Sequence, residues 1–261
     1  MTFSVTALPG ALGGVVEGLD PDQLSTDVVG ELRDAWHKHL VLFFPKVNFE
    51  PAQQVKLAGM LGAHVAATTE QGDYRNTQTL ADEGFPEILV LDTARGLNPS
   101  VTANWHTDVT FAANPPIGSL FCMEIPAVGG GDTMWSNQYA ALERLSPPIR
   151  SLISGLNAVH GRPPRTGTAT HPMVKVHPGT GRECLFVNRG WTHSVEGLST
   201  SESAHLLAMI NDTAERPELQ IRWQWTAGDA ALWDNRCTMH YALADYGTQR
   251  RRARRATIYD E

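Results

Sequence analysis

What the chain has little of sets the first limits. Lysine and arginine total 21 against 28 aspartates and glutamates, for a formal net charge of −7. A nucleic-acid backbone selects basic surfaces, so a general nucleic-acid binder is not expected, although a local basic pocket for a small anion stays open. The three cysteines, Cys122, Cys184 and Cys237, are odd in number and include no CxxC pair. A disulfide framework is therefore not expected, and a reducing cytoplasmic setting is. No apolar run approaches the roughly 20 residues that a bilayer span needs. Met1 to Val16 has no basic stretch followed by a long apolar one, so neither a membrane protein nor a signal peptide is expected. Internal repeats and low-complexity linkers are also absent.

What is present is ordinary globular material. Of 261 residues, 42% are hydrophobic and 19% charged, enough for a sizeable core. That length suits one large domain or two small ones, and an all-β barrel or sandwich can use it as one. Asp27 to Leu40 has Val28, Leu32, Trp36 and Leu40 at helical spacing, and Pro51 to Leu61 suits a second helix with proline in its first turn. Val41 to Phe44 and Ile88 to Leu91 are apolar runs of strand type. Gly118 to Trp135 reads as strand, glycine turn, strand. Asn137 to Leu156 holds two short helices broken at Pro147-Pro148, and Arg162 to Thr170 reads as a loop. Strands at Val174–Val176 and Leu185–Val187 flank a Pro178-Gly179 turn. A helix capped by Ser199 or Thr200 follows, and then strands at 221–225, 230–233 and 252–259. Many short strands with a few helices predict a mainly β fold, a sandwich or jelly roll with helices packed outside it.

Asn104-Trp105-His106-Thr107-Asp108 contains His-x-Asp. In an extended segment, residues two apart share a face, so His106 and Asp108 can reach one metal. One imidazole and one carboxylate leave a divalent ion short of ligands, and by itself the motif also suits an ordinary polar loop. His240 supplies the missing company. It follows a strand at Ala230–Trp233 and a turn at Asp234-Asn235-Arg236, and an arginine-rich segment comes soon after. His37, His39, His171, His177, His193 and His205 lack such surroundings and read as packing or surface. Two histidines and one carboxylate on one face of a barrel form the facial triad of non-haem Fe(II) oxygenases, which leaves positions open for a cosubstrate and O2.

Five of the six residues from Arg250 to Arg255 are arginine. A solvated charge run and a nucleic-acid patch are two readings. Strand periodicity offers a third, in which Arg251, Ala253 and Arg255 face inward and Arg250, Arg252 and Arg254 face solvent. Two inward guanidinium groups flanking a small residue suit two anions, because guanidinium matches carboxylate or sulfonate with paired, charge-assisted hydrogen bonds.

These residues together resemble the taurine dioxygenase family, which also contains the 2,4-dichlorophenoxyacetate and alkylsulfate dioxygenases. Trp105 to Phe111 is similar to its iron-binding segment, and Gly130-Gly131-Asp132-Thr133 with Trp135 to its cosubstrate strand. His171-Pro172 through His177-Pro178, and Leu185 to Asn188, resemble its central strands. Trp233-Asp234-Asn235-Arg236, His240 and Arg251 resemble its C-terminal signature, so the likeness runs in order from about residue 28 to 258. The resemblance implies one dioxygenase domain over residues 1–261, a double-stranded β-helix core, and Fe(II), 2-oxoglutarate and O2 as cofactor and cosubstrates. It implies His106, Asp108 and His240 as iron ligands, and Arg251 and Thr133 as partners of the distal carboxylate of 2-oxoglutarate. Arg255 would face a substrate anion. Val109, Phe111, Phe186 and Thr102 match positions around the substrate. A homo-oligomer, dimer or tetramer, is implied as well.

The chain departs from the family where the taurine enzymes hold the sulfonate. Their histidine falls on Ala67 here, with His64 nearby, and their asparagine falls on Thr102. Where the family has some tens of residues of lid, this chain has the ten of Gly161 to Thr170. The expected substrate is accordingly a small anion with an apolar body: a sulfonate, a sulfate ester or a carboxylate. The competing reading is a cupin-like metal barrel acting as a hydrolase or binding protein, which would not need Arg251 and Thr133.

Overall fold

A computed structural model describes residues 3–67, 78–96, 103–164 and 166–260. Strands β1 (Ser4–Ala7) and β2 (Gly14–Glu17) form a hairpin, helix α1 (Thr26–His39) leads into β3 (Val41–Phe44), and α2 (Pro51–Leu61) leads into β4 (His64–Ala66). β5 (Gln78–Leu80), β6 (Phe85–Asp92), β7 (Gly118–Ile125) and β8 (Thr133–Asn137) follow, then α3 (Gln138–Arg144) and α4 (Pro147–Ile153). The remainder is β9 (Asn157–Gly161), β10 (Thr168–Pro172), β11 (Val174–Val176), β12 (Glu183–Leu185), β13 (Thr192–Val195), α5 (Thr200–Ala214), β14 (Gln220–Trp223), β15 (Ala230–Asp234), β16 (Thr238–Ala242) and β17 (Arg252–Tyr259). The fold is mainly β with helices on the outside, as the sequence predicts.

Local chemistry accounts for the helices. The Ser25 side chain accepts from the Val28 amide at the start of α1, and Lys38 stands in its last turn, where a cation suits the helix dipole. Ser199 and Glu202 form a reciprocal capping box on α5. The large sheet runs β1-β2-β3-β15-β7-β17-β6-β5, with β4 also paired to β17; a smaller sheet runs β14-β8-β16.

Alternation along the central strands sorts the core into two layers. Leu42, Phe44, Leu120, Cys122, Leu232, Ala256 and Ile258 point to α1 and α2, where they meet Leu32, Trp36, Leu57 and Leu61. Their neighbours Val41, Phe43, Phe121, Met123, Ala231, Trp233 and Ala253 point the other way, onto Trp135 of the smaller sheet. Trp135 stands edge-on to Phe43 with ring centres 5.3 Å apart and lies 5.9 Å from Trp233. The outer face of the smaller sheet is covered by α3, α4 and α5 through Met239, Ala141, Leu142, Ile153, Leu207 and Ile210. The space between the two sheets is therefore aromatic and shielded on both sides.

One sequence expectation needs correction. Residues 168–170 are not loop: they open β10, which pairs with β9 from Thr168↔Gly161 to Pro172↔Asn157. Threonine is β-branched and suits a strand, and cross-strand pairing outweighs the glycine- and proline-rich surroundings that suggested a loop. The connection shrinks to residues 162–167. No helix of the described residues is long and apolar enough to cross a membrane.

Leu120 is fully buried between α2 and β15. Leu120→Ala should cost about 3 kcal/mol in urea unfolding, through lost burial and the cavity left behind. A cost under about 1 kcal/mol would mean that this layer is loosely packed.

Candidate active site

The site begins with a backbone contact. His106 and His240 form an isolated antiparallel bridge, in which the His106 amide donates to the His240 carbonyl at 3.0 Å and the His240 amide to the His106 carbonyl at 2.8 Å. Residues paired this way send their side chains to one face. The register His240↔Trp135 sets that face toward the inter-sheet space, and the two imidazole centres lie 4.2 Å apart. Asp108 Oδ1 stands 3.9 Å from His106 Nε2 and 3.8 Å from His240 Nε2. All three residues are buried, with one potential ligand atom from each lying within 4.8 Å of the others.

The surroundings fix each group. The Asp108 amide donates to Asn235 Oδ1 at 2.8 Å, while Asn235 Nδ2 donates to the carbonyls of Asp108 (3.0 Å) and Pro116 (2.9 Å). Ser119 Oγ donates to Asp108 Oδ2 at 3.3 Å, and Arg255 Nη1 donates to Oδ1 at 2.9 Å. His106 Nδ1 lies 2.8 Å from the Asn104 carbonyl, which can only accept. Nδ1 therefore carries the proton, and the lone pair sits on Nε2, on the Asp108 side. Gly190 makes room for this segment, since a Cβ there would stand 2.7 Å from His106 Cβ and from Asn104 Oδ1.

Electrostatics leave the donors in the forms a metal takes. Burial pushes His240 down to about 3 and lowers His106 as well, so both imidazoles are neutral at physiological pH. Burial alone would raise Asp108, but Arg255 and the two imidazoles outweigh it and hold the carboxyl at about 2. His240 Nδ1 is buried without a hydrogen-bond partner. Two neutral imidazoles, an ionised carboxylate and an orphaned ring nitrogen fit a divalent mid-series metal such as Fe(II).

One cavity holds His106 and His240 together with Thr133, Arg251 and Arg255, walled by Phe121, Trp135, Trp225 and Trp233. Arg251 is 7% exposed, and its Nε donates to the Gly131 carbonyl at 3.1 Å. No carboxylate pairs with it among the described residues, and burial lowers it from the usual arginine value without threatening its charge. A buried cation without a counter-ion is costly, so this guanidinium is available to an anion. Thr133 Oγ1 accepts from Trp225 Nε1 at 3.0 Å, which leaves its own hydrogen to donate. Gly131, at φ +73°, brings the chain against Arg251, where a Cβ would meet Cδ at 3.1 Å.

The arginine segment differs from expectation on its second face. Arg250, Arg252 and Arg254 were expected in solvent. Arg250 pairs with Asp92 (2.7 Å), Arg252 and Arg254 share Glu124, and Arg254, 7% exposed, also donates to the Phe49 carbonyl. The reason is that β17 lies inside the sheet, between β6 and β7, with α2 over its other face. Arg252 and Arg254 are thus covered and need internal partners, whereas Arg250, just before the strand, is exposed as expected even while it pairs with Asp92. Arg255, expected opposite a substrate anion, lines the cavity but places its guanidinium on Asp108.

Val109, Phe111 and Phe186 do not line that cavity. Val109 has φ +55°, a strained conformation for a β-branched residue, immediately after Asp108. Phe111 is buried edge-on against Trp191, and Phe186 packs against His160 and His171. Thr102 lies outside the described residues.

Sequence reasoning missed the residues that hold the site. Asn235 lies inside the C-terminal signature, where its neighbours in sequence mark only a turn. Thr110 is a hub: its hydroxyl meets His160 Nδ1 (2.9 Å) and Asn188 Nδ2 (3.2 Å), and its carbonyl meets His171 Nε2 (2.8 Å). His37, His177 and Asp234 form a second cluster with metal-like composition. There His177 Nδ1 accepts from the amides of Gly179 and Thr180, Nε2 donates to Asp234 at 2.9 Å, and Arg236 grips the same carboxylate. With both ring nitrogens engaged, that cluster is a polar strut between β15 and the turn after β11.

Comparison with known proteins agrees with this geometry. Residues 4–257 match the family model "Taurine catabolism dioxygenase TauD, TfdA family". A Pseudomonas putida protein named an alpha-ketoglutarate-dependent sulfate ester dioxygenase is 33% identical over 287 residues, covering 100% of this chain and 91% of its own. A protein of Acinetobacter baylyi named an alkylsulfatase is 33% identical over 280 residues, covering 97% and 84%. The crystal structure of a taurine dioxygenase from Burkholderia xenovorans superposes with a TM-score of 0.87 at 32% identity, covering 100% of this chain and 92% of that one. The chain belongs to the TauD/TfdA family of 2-oxoglutarate-dependent dioxygenases, whose cofactor is Fe(II) and whose cosubstrates are 2-oxoglutarate and O2.

Two outcomes follow. Asn235→Ala strips partners from three buried backbone groups and should cost about 3 kcal/mol in urea unfolding, with loss of metal affinity by titration. The second concerns acid. Burial holds His160 at about 3 and His240 at about 3, against 6.5 unfolded. The unfolded chain therefore takes up these protons first, so stability is full above about pH 6.5 and falls as pH drops toward about 3. His160→Gln should flatten the slope of metal-free stability against pH by about 1.4 kcal/mol per unit near pH 5. An unchanged slope would show that His160 is already protonated in the fold.

Proposed function

We propose that the protein hydroxylates a small sulfate ester or related anion with an apolar body, consuming 2-oxoglutarate and O2 and releasing succinate and CO2. The observation that carries the reading is the buried Arg251, unpaired by any carboxylate among the described residues, in one cavity with Thr133, His106 and His240. A hydrolase or binding barrel has no use for it. The sulfate ester is favoured among anions because two relatives matching nearly the whole chain carry names of that chemistry.

His106, Asp108 and His240 would hold the iron. Iron, when bound, supplies the oxidising chemistry, and the protein supplies binding, orientation and electrostatics. Arg251, with Thr133, would take the distal carboxylate of 2-oxoglutarate by charge-assisted hydrogen bonds. Arg255 holds Asp108 ionised and orients its carboxylate, and from the same position its positive charge draws the substrate anion toward the cavity. Val109, Phe111, Phe186 and Thr102 would contact the apolar body. In the overall reaction one oxygen atom goes to succinate and the other to the carbon beside the ester oxygen. That hydroxylated carbon then expels sulfate and leaves an aldehyde. The same reading includes a double-stranded β-helix core, one domain over residues 1–261 and a homo-oligomer. It also includes a cytoplasmic setting, in keeping with three buried free thiols.

Anaerobic addition of Fe(II) and 2-oxoglutarate should produce the visible charge-transfer band of the chelate, and His240→Ala should abolish it. In air, octyl sulfate should yield succinate and inorganic sulfate together. Arg251→Met should weaken 2-oxoglutarate binding by about a hundredfold, the worth of a buried charge-assisted pair. Full wild-type turnover in Arg251→Met, or sulfate release without 2-oxoglutarate, would sink the proposal.

A further inference from the structure

Lys175 lies on β11, outside the cavity of Arg251, and belongs to none of the groups described so far. Its ammonium stands 3.6 Å from the centre of the Phe186 ring, over the ring face, a cation–π arrangement. The same nitrogen is 3.3 Å from His171 Nδ1. On the other side of that imidazole, Nε2 meets the carbonyls of Thr110 (2.8 Å) and Ala112 (3.1 Å). Carbonyls only accept, so Nε2 carries the ring proton, and Nδ1 presents a lone pair to the ammonium. A single side chain thus reaches both Phe186 and the backbone around Phe111, two residues proposed above to contact the apolar body of the substrate. One path runs directly to Phe186. The other runs through His171 to the backbone on either side of Phe111.

Two further observations make that link purposeful. The segment being held is strained: Val109 sits at φ +55°, and the Ala112 amide returns to the Val109 carbonyl at 3.0 Å to close the turn. Such a conformation persists only where its surroundings over-determine it, and these include His160 and Asn188 on the Thr110 hydroxyl and the bracket from His171. Lys175 itself has no carboxylate partner among the described residues, and burial draws its ammonium down to about 8. Keeping a partly desolvated lysine without a counter-ion disfavours the fold, and its aromatic and imidazole contacts are what offset that.

We propose that Lys175 is a positioning residue that locks Phe111 and Phe186, the two aromatic residues proposed to contact the substrate, so that the substrate carbon is held in register with the His106, Asp108 and His240 centre. The proposal rests on the function given above. Its signature is coupling: a substrate held loosely allows 2-oxoglutarate to be consumed without a matching product, since misplacement of about 1 Å is enough to cost a reaction heavily.

The test uses the purified full chain with Fe(II), 2-oxoglutarate and octyl sulfate, or whichever anion of a sulfonate, sulfate ester and aryloxy acid panel the wild type consumes. Succinate and oxidised product are counted in the same samples. Wild type should give them in near-equal amounts. Lys175→Met should raise succinate per product about threefold or more, while the anaerobic chelate band and its 2-oxoglutarate midpoint stay at wild-type values. Lys175→Arg, which keeps a cation over the ring, should restore the ratio. If Lys175→Met does not fold, Lys175→Gln and Phe186→Leu are read for the same rise. An unchanged ratio in the folded variants, even with slower turnover, would overturn the assignment, because a merely structural lysine lowers succinate and product together. A wild type that releases no succinate with any anion would instead remove the underlying function.

Discussion

The site depends on one antiparallel bridge, the pair of backbone hydrogen bonds between His106 and His240. It joins a segment before β7 to a strand more than a hundred residues later. Because hydrogen-bonded partners share a face, the bridge alone puts two imidazoles side by side in the inter-sheet space. Asp108, two residues on at the start of a turn, reaches the same point, and Asn235 holds it there from the other end of the chain. Break the bridge and the imidazoles lose their common face, whatever the rest of the sheet does.

The burial of the bridge governs the chemistry. In a dry, tryptophan-lined space both histidines stay neutral and Asp108 stays ionised through Arg255, a donor set ready for a divalent cation. The same dryness makes Arg251 costly to leave without an anion. Metal preference and anion preference are therefore two results of one constraint: charges are kept only where a partner will meet them. Arg252 and Arg254, on the opposite face of β17, obey it too, both meeting Glu124 where the strand is covered.

A polar scaffold lies behind the site. Thr110, His160, His171 and Asn188 hold the turn after Asp108, and Lys175 ties that turn to Phe186. The His177–Asp234–Arg236 strut performs a comparable task beside β15. Both scaffolds use histidines whose two ring nitrogens are satisfied by protein groups, which separates them physically from His106 and His240, where ring nitrogens remain free.

Much was legible in the sequence. Apolar period and turn residues marked α1, α2, β3 and the β7–β8 hairpin. Strand period put Arg251 and Arg255 on one inner face. Motif spacing picked His106 and His240 from ten histidines, with Asp108 beside the first. These are properties of neighbouring residues, which local geometry fixes. The sequence could not show that Thr168–Thr170 would pair as strand, that Arg252 and Arg254 would be covered, or that Arg255 would rest on Asp108. Nor could it show that Asn235, His171 and Lys175 support the site. Each of those depends on what arrives from a distant part of the chain, and only tertiary packing decides which buried charge meets which partner.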